Sequence, residues 1–178
     1  MADYLEEKHK SIDINTKNAF TDQTTDFDAV KATPAAGGRN ILVAVDLSDD
    51  AAYAIEFAIK NLFNPPDLVT FYIALEFRHL NSDDTQANIR REKMILIHNQ
   101  VSDLKKKFNK EFLFRVHGEM STDARASILN KLKQKERSYT MLVIGSRGQS
   151  LLEGVVLGSV SNYLLQKSPV PVVVVRQP

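Results

Sequence analysis

The sequence predicts an α/β fold, a doubly wound parallel sheet of five strands with helices on both faces. Three observations predict it. Short β-branched apolar runs recur along the chain, and segments of helical period separate them. The regular alternation of strand and helix is the pattern of a parallel sheet, because parallel neighbours need a crossover and the crossover is usually a helix. The first run ends in an aspartate and the fourth in a glycine-bearing stretch, as expected where a ligand crevice opens beyond the strand C-termini.

Asn40-Ile41-Leu42-Val43-Ala44-Val45-Asp46 is the first strand, apolar enough to be buried on both faces. Ser48-Asp49-Asp50-Ala51 starts the first helix: Ser48 caps free backbone N–H groups and the aspartates complement the positive helix end. Ala51, Ala54, Ile55, Ala58, Ile59 and Leu62 follow at helical spacing, and Pro65-Pro66 closes the segment. Leu68 to Leu75 is the second strand. Met94, Ile97, Val101, Leu104 and Phe108, at steps of 3, 4, 3 and 4, mark one face of a long amphipathic helix ending in Lys105-Lys106-Lys107. Phe112 to Val116 is a third strand near an edge, and Ser121-Thr122-Asp123 starts a helix with Ala124, Ile128, Leu129 and Leu132 inward. Met141 to Ile144 is the fourth strand, Ser159 to Gln166 a short helix, and Val170 to Val175 the fifth strand.

The chain of 178 residues carries 23 basic and 22 acidic residues, a net charge of +1. That balance gives no drive toward nucleic acid or anionic membranes. No apolar run approaches the ~20 residues needed to cross a bilayer. The absence of cysteine excludes disulfides, thiolate zinc sites and cysteine nucleophiles, and fits a reducing, cytoplasmic setting. Charge is uneven, with a net −3 over residues 1–38 and +4 over residues 39–178. Residues 1–38 lack sustained periodicity and end in Thr33-Pro34-Ala35-Ala36-Gly37-Gly38, so they are expected to be a disordered leader, or a docking segment for an unknown protein, ahead of one folded domain over 39–178.

The chemistry concentrates in Gly145-Ser146-Arg147-Gly148, nine residues, then Gly158-Ser159-Val160-Ser161. Glycines allow tight turns and close approach of backbone N–H groups to an anion, and a helix N-terminus favours phosphate. Ser159 and Ser161 can add hydroxyl donors, and Arg147 can pair with phosphate oxygens. Asp46, across the crevice, can accept from ribose hydroxyls or hold a hydrated magnesium ion. The same glycines could instead only shape turns, with Ser159 only a helix cap. The chain has no Gly-x4-Gly-Lys-Ser/Thr loop, no Gly-x-Gly-x-x-Gly after the first strand, and no Gly-x-Ser-x-Gly elbow. Its four histidines are dispersed.

At these residues the chain resembles the universal stress protein family, from about Asn40 to Val175, including Leu142-Val143-Ile144-Gly145-Ser146-Arg147-Gly148 and Leu157-Gly158-Ser159-Val160-Ser161. The Gly-x2-Gly-x9-Gly-Ser/Thr spacing is that of the family's ATP-binding branch. The resemblance implies strand order 3-2-1-4-5, an adenine nucleotide alpha hydrolase-like fold, ATP (or ADP or AMP) with magnesium as ligand, and frequent homodimers. By position, it places Asp46 near adenine and ribose, Ala44, Val45 and Ala74 along the base, and Gly145, Arg147, Gly148, Gly158, Ser159, Val160 and Ser161 on ribose and phosphates. Leu47 departs from the family's usual glycine, so the loop after the first strand is expected to be looser or reshaped. Thr140 replaces a common aspartate. The apolar strand 170–175 at a sheet edge suggests antiparallel pairing between two copies. The implied function is nucleotide-dependent regulation in stress response with little or no catalysis; a slow ATP hydrolase, an autophosphorylating protein and a nucleotide-independent dimeric adaptor are the alternatives.

Overall fold

A computed structural model describes residues 33–76, 83–148 and 157–178. The expectations for the leader before residue 33 lie outside the described residues. Five strands, β1 (Asn40–Val45), β2 (Leu68–Glu76), β3 (Leu113–Ser121), β4 (Met141–Gly145) and β5 (Val172–Val175), form one sheet. Four described helices connect them: α1 (Asp49–Asn61), α2 (Asp83–Lys107), α3 (Ala124–Leu132) and α4 (Ser159–Lys167). Every pair is parallel, as the alternation of elements predicts, and the order is β3-β2-β1-β4-β5, as the family resemblance implies. Because β1 pairs with β2 on one side and β4 on the other, the chain reverses its direction of growth between β1 and β4.

The two faces of the sheet carry different cores. On one, Phe63, Phe71, Phe112 and Phe114 pack edge to face or tilted, with ring centroids 5.1–6.3 Å apart, and Ile97 and Val101 of α2 are fully buried. On the other, Leu42, Tyr72, Leu142 and Ile144 meet Ile128 and Leu132 of α3 and Leu164 of α4. Each fully buried Leu or Ile contributes about 1.5–3 kcal/mol, so each face is anchored by several such residues. His98, half-buried, rests against Phe114.

The element boundaries depart from the sequence pattern in three places. Helix α1 ends at Asn61, short of Pro65-Pro66, because the chain turns Phe63 into the core and closes on Asp67, whose N–H donates to the Asn64 carbonyl at 3.0 Å. Strand β3 runs to Ser121, five residues beyond the apolar stretch; its second half includes His117 and Glu119 and still pairs with β2 through Glu76↔Ser121. An edge strand keeps its ladder on one side and tolerates polar residues on the solvated part, which hides it from an apolar-run criterion. Strand β5 begins at Val172, although the Pro171 carbonyl already accepts from Leu142 N–H at 2.9 Å.

The N-terminal ends of the strands are closed by buried polar contacts. Asp67, 1% exposed, accepts from Arg39 N–H and Nε at 3.0 Å, Arg39 Nη2 at 2.6 Å and Asn64 N–H at 2.9 Å. Burial pushes the Asp67 carboxyl up, but the Arg39 donors and the Asn64 amide outweigh it and hold the group below the usual carboxylate value. Thr140, the departure from the family pattern, sits at this same end, where its N–H donates to the Asn40 carbonyl at 2.8 Å.

Candidate functional site

At the opposite end, where the strands finish, a cavity of about 830 Å³ opens between β1, β2 and β4. Its volume is in the range of small-molecule sites. All of the residues singled out from the sequence line it: Ala44, Val45, Asp46, Ala74, Gly145, Arg147, Gly148, Gly158, Ser159, Val160 and Ser161. Parallel pairing of β1 with β4, Ala44 opposite Ile144, carries Asp46 and the glycine loop to the same edge of the sheet.

Asp46 directly follows β1. Its Oδ1 accepts from Ser48 Oγ–H at 2.6 Å and Ser48 N–H at 3.1 Å, and Ser48 Oγ in turn accepts from Ala51 N–H at 3.2 Å, the expected helix cap. Between them Leu47 takes φ +63°. The backbone therefore keeps the left-handed turn that glycine adopts freely, instead of opening, and a leucine bears its strain. Asp46 Oδ2 is directed at Gly148: a Cβ there would lie 2.6 Å from it, so a side chain at this position would displace the Asp46 carboxylate.

The glycine loop is held from beneath. A Cβ on Gly145 would come within 3.1 Å of the Asp50 backbone, which shows how tightly the first turn of α1 packs on the end of β4. The Asp50 side chain is buried and its Oδ2 accepts from Ser146 Oγ–H at 2.8 Å, Arg147 N–H at 3.0 Å and Arg147 Nε–H at 3.3 Å. Arg147, read from sequence as a phosphate ligand, thus has its Nε on Asp50, while its side chain remains 33% exposed in the cavity wall. Ser161, also read as a ligand donor, is buried and donates its hydroxyl proton to the Gly145 carbonyl at 2.8 Å. Ser159 is exposed at the start of α4.

Helix α4 begins at Gly158 with no side-chain cap. Its N-cap residue thus offers no side-chain acceptor to the N–H groups of the first turn, which lines the cavity at Ser159, Val160 and Ser161, and a helix N-terminus of this kind attracts anions. Gly158 N–H donates to the Ser146 carbonyl at 2.8 Å and joins the two halves of the glycine motif.

The wall nearer β2 and β3 adds residues that the sequence pattern did not single out: Glu76, Ile89, Glu92, Lys93, Met120, Ala124 and Ile128. Helix α3, which brings Ala124 and Ile128, is tied down by Ser127, whose hydroxyl meets the buried Tyr72 hydroxyl; Tyr72 also donates to Glu119 Oε2 at 2.6 Å. Burial and the Glu119 carboxylate push the Tyr72 hydroxyl pKa above its ordinary value, so it stays protonated as a donor. Asp50 is the other omission. Its signal was present, since it falls on the buried helical face with Ala51, Ala54, Ile55 and Ala58, where an aspartate requires partners.

Fold and site together define a doubly wound α/β domain whose cavity lies at the point where the strand order reverses. The chain belongs to the universal stress protein family, whose model matches residues 38–176. An uncharacterised protein of Schizosaccharomyces pombe is 30% identical over 145 residues, covering 76% of this chain but only 23% of the longer relative. Among solved structures, universal stress protein UspA from Lactobacillus plantarum superposes with TM-score 0.56 at 19% identity, over 78% of this chain and 97% of that one. A family member from Arabidopsis thaliana with AMP bound superposes with TM-score 0.53 at 14% identity, over 79% and 92%. At these identities the structures establish the shared fold.

Proposed function

We propose that the protein binds an adenine nucleotide, ATP foremost, in the cavity at the strand C-termini and acts as a regulatory stress-response protein. The observation that carries this reading is the uncapped N-terminus of α4 facing the same cavity as the glycine loop and Asp46. The apolar part of the cavity, with Ala44, Val45, Ile73 and Ala74, suits a base, and the polar part suits phosphates. The AMP bound to the Arabidopsis relative supports the same class of ligand. Among the described residues no group of three or more His, Cys, Asp or Glu is placed to hold a metal ion. Magnesium would therefore arrive with the nucleotide phosphates and meet Asp46 through water, which suits an ion that keeps much of its hydration.

Binding rather than turnover is favoured by the state of the two carboxylates beside the glycine loop. Asp46 Oδ1 accepts from Ser48, and Asp50 Oδ2 from Ser146 and Arg147, so both carboxylates have a part in holding the loop. The second sheet edge supports a homodimer: β5 pairs with β4 on one side, and Val172, Val173 and Val174 are only partly buried. We place this domain, residues 39–178, in a cytoplasmic setting, and read residues 1–38 first as a disordered leader and second as a docking segment for an unknown protein.

Heat-denaturing the purified protein and identifying the released nucleotide by chromatography and mass tests the ligand. Stoichiometric ATP, ADP or AMP is expected; no nucleotide, together with no thermal shift on adding Mg-ATP, overturns the reading. Phosphate release well below about one per minute is expected for a binding protein, a rate far under typical enzyme turnover. Light scattering at micromolar concentration tests the dimer, and a 20.0 kDa species throughout would contradict it.

A further inference from the structure

Asp50 lies beneath the glycine loop and touches no part of the cavity surface, yet one of its oxygens gathers three donors from two consecutive loop residues. We infer that Asp50 is a positioning residue for the nucleotide: it pins Arg147 by Nε and backbone N–H so that the guanidinium meets ligand phosphates with its two Nη groups in a fixed plane. This rests on the nucleotide reading of the site and adds to it a residue that acts through another.

Several features converge on this role. A planar guanidinium held at Nε can turn only about the remaining bonds, so a single contact at Nε orients the whole fork. The carboxylate is 6% exposed, while the Arg147 side chain is 33% exposed and lines the cavity, so the buried partner anchors and the wetter one presents. Asp50 also belongs to the first turn of α1, whose cap Ser48 holds Asp46 Oδ1 at 2.6 Å. A continuous series of contacts therefore runs from Asp46 through Ser48 and the first turn of α1 to Asp50, Ser146 and Arg147. That turn links the segments that follow β1 and β4, two strands whose spacing is set by their own ladder. Its backbone lies 3.1 Å from where a Cβ on Gly145 would sit, so a side chain there would push against the turn.

The role makes Arg147 irreplaceable by lysine. An ammonium at that position would rest on the Asp50 carboxylate as a point charge and would present no planar fork of donors to a phosphate.

The test is calorimetric titration of the full chain with Mg-ATP for the wild type, Asp50→Asn, Arg147→Met, Arg147→Lys and the Asp50→Asn/Arg147→Met double variant, with thermal midpoints measured alongside. Asp50→Asn keeps the shape and removes the charge. It is expected to weaken binding roughly tenfold, the scale of one lost charged hydrogen bond. Arg147→Lys should bind as poorly as Arg147→Met, and the double variant no worse than the weaker single one, because both act through the same guanidinium. Unchanged affinity in Asp50→Asn, or losses that multiply in the double variant, would overturn the inference even if stability falls. A second readout needs no nucleotide. The Arg147 Nε–H signal in nitrogen-resolved NMR should exchange slowly with water in the wild type and lose that protection in Asp50→Asn. If the wild type binds no adenine nucleotide, the nucleotide reading fails by itself. Protection lost in Asp50→Asn would then still support the anchor, and protection unchanged would overturn it.

Discussion

The two ends of the sheet are built from similar residues to opposite effect. At the strand N-termini, the Asp67 carboxylate accepts four donors from Arg39 and Asn64 and is almost wholly buried. At the strand C-termini, Asp46 and Asp50 organise a glycine loop around an open cavity, and α4 begins without a side-chain cap. The first end closes the domain. The second frames a cavity with the glycine loop and the start of α4. The difference teaches that acidic residues at strand ends are not equivalent: what distinguishes them is whether their partners seal the edge or shape a vacant space beside it.

If the two ends are separable, substitutions should divide into those that affect binding and those that affect stability. The largest effect is expected from Gly148→Val. Its side chain would start 2.6 Å from Asp46 Oδ2, so the crevice must widen or Asp46 must turn. Titration with Mg-ATP should show no measurable binding, while the thermal midpoint moves little. A midpoint loss as large as that of a core substitution would show the ends to be coupled.

Asp67→Asn is the converse. It removes the charge that holds Arg39 and should lower unfolding free energy by about 2 kcal/mol, below the usual figure for a buried pair because Arg39 is partly exposed. Denaturant titration checks the loss, and ATP affinity should stay within a factor of about two. The same pair predicts acid sensitivity. The folded-state value of Asp67 is depressed, so its stabilisation is complete above the unfolded carboxylate value of about 4 and is lost as pH falls through the lower folded value. Unfolding measured from pH 5 to pH 2.5 should fall more steeply for the wild type than for Asp67→Asn.

The smallest effect is expected at Leu47. Leu47→Gly should relieve the strain of φ +63° and raise stability by about 0.5–1 kcal/mol, unless the half-buried leucine contributes more by packing. Denaturant midpoints decide the sign; a loss above about 1 kcal/mol would show that the side chain, rather than the turn, is what matters there.

Much of this arrangement was legible in the sequence. The apolar runs and helical stripes specify a parallel sheet because parallel pairing requires their crossovers, the strand order comes with the family resemblance, and the Gly145 to Ser161 spacing marks one edge of the cavity. What escaped has physical causes. The far half of β3 alternates polar residues because its edge is solvated. Asp50 looks like any acidic residue at a helix start until its place on the buried face is counted. The roles of Gly145 and Ser161 are double: spacing marks them as ligand neighbours, while the structure shows Gly145 admitting the α1 backbone and Ser161 stapling α4 to β4. Leu47 suggests a reshaped loop by residue type, and its backbone takes the left-handed turn at φ +63°.

The central claim is that the open end of the sheet is an adenine-nucleotide site. Calorimetric titration of the nucleotide-free protein with Mg-ATP addresses it most directly. The account predicts saturable binding with one nucleotide per chain; an absence of heat at every concentration, confirmed by an unchanged thermal midpoint, would contradict it.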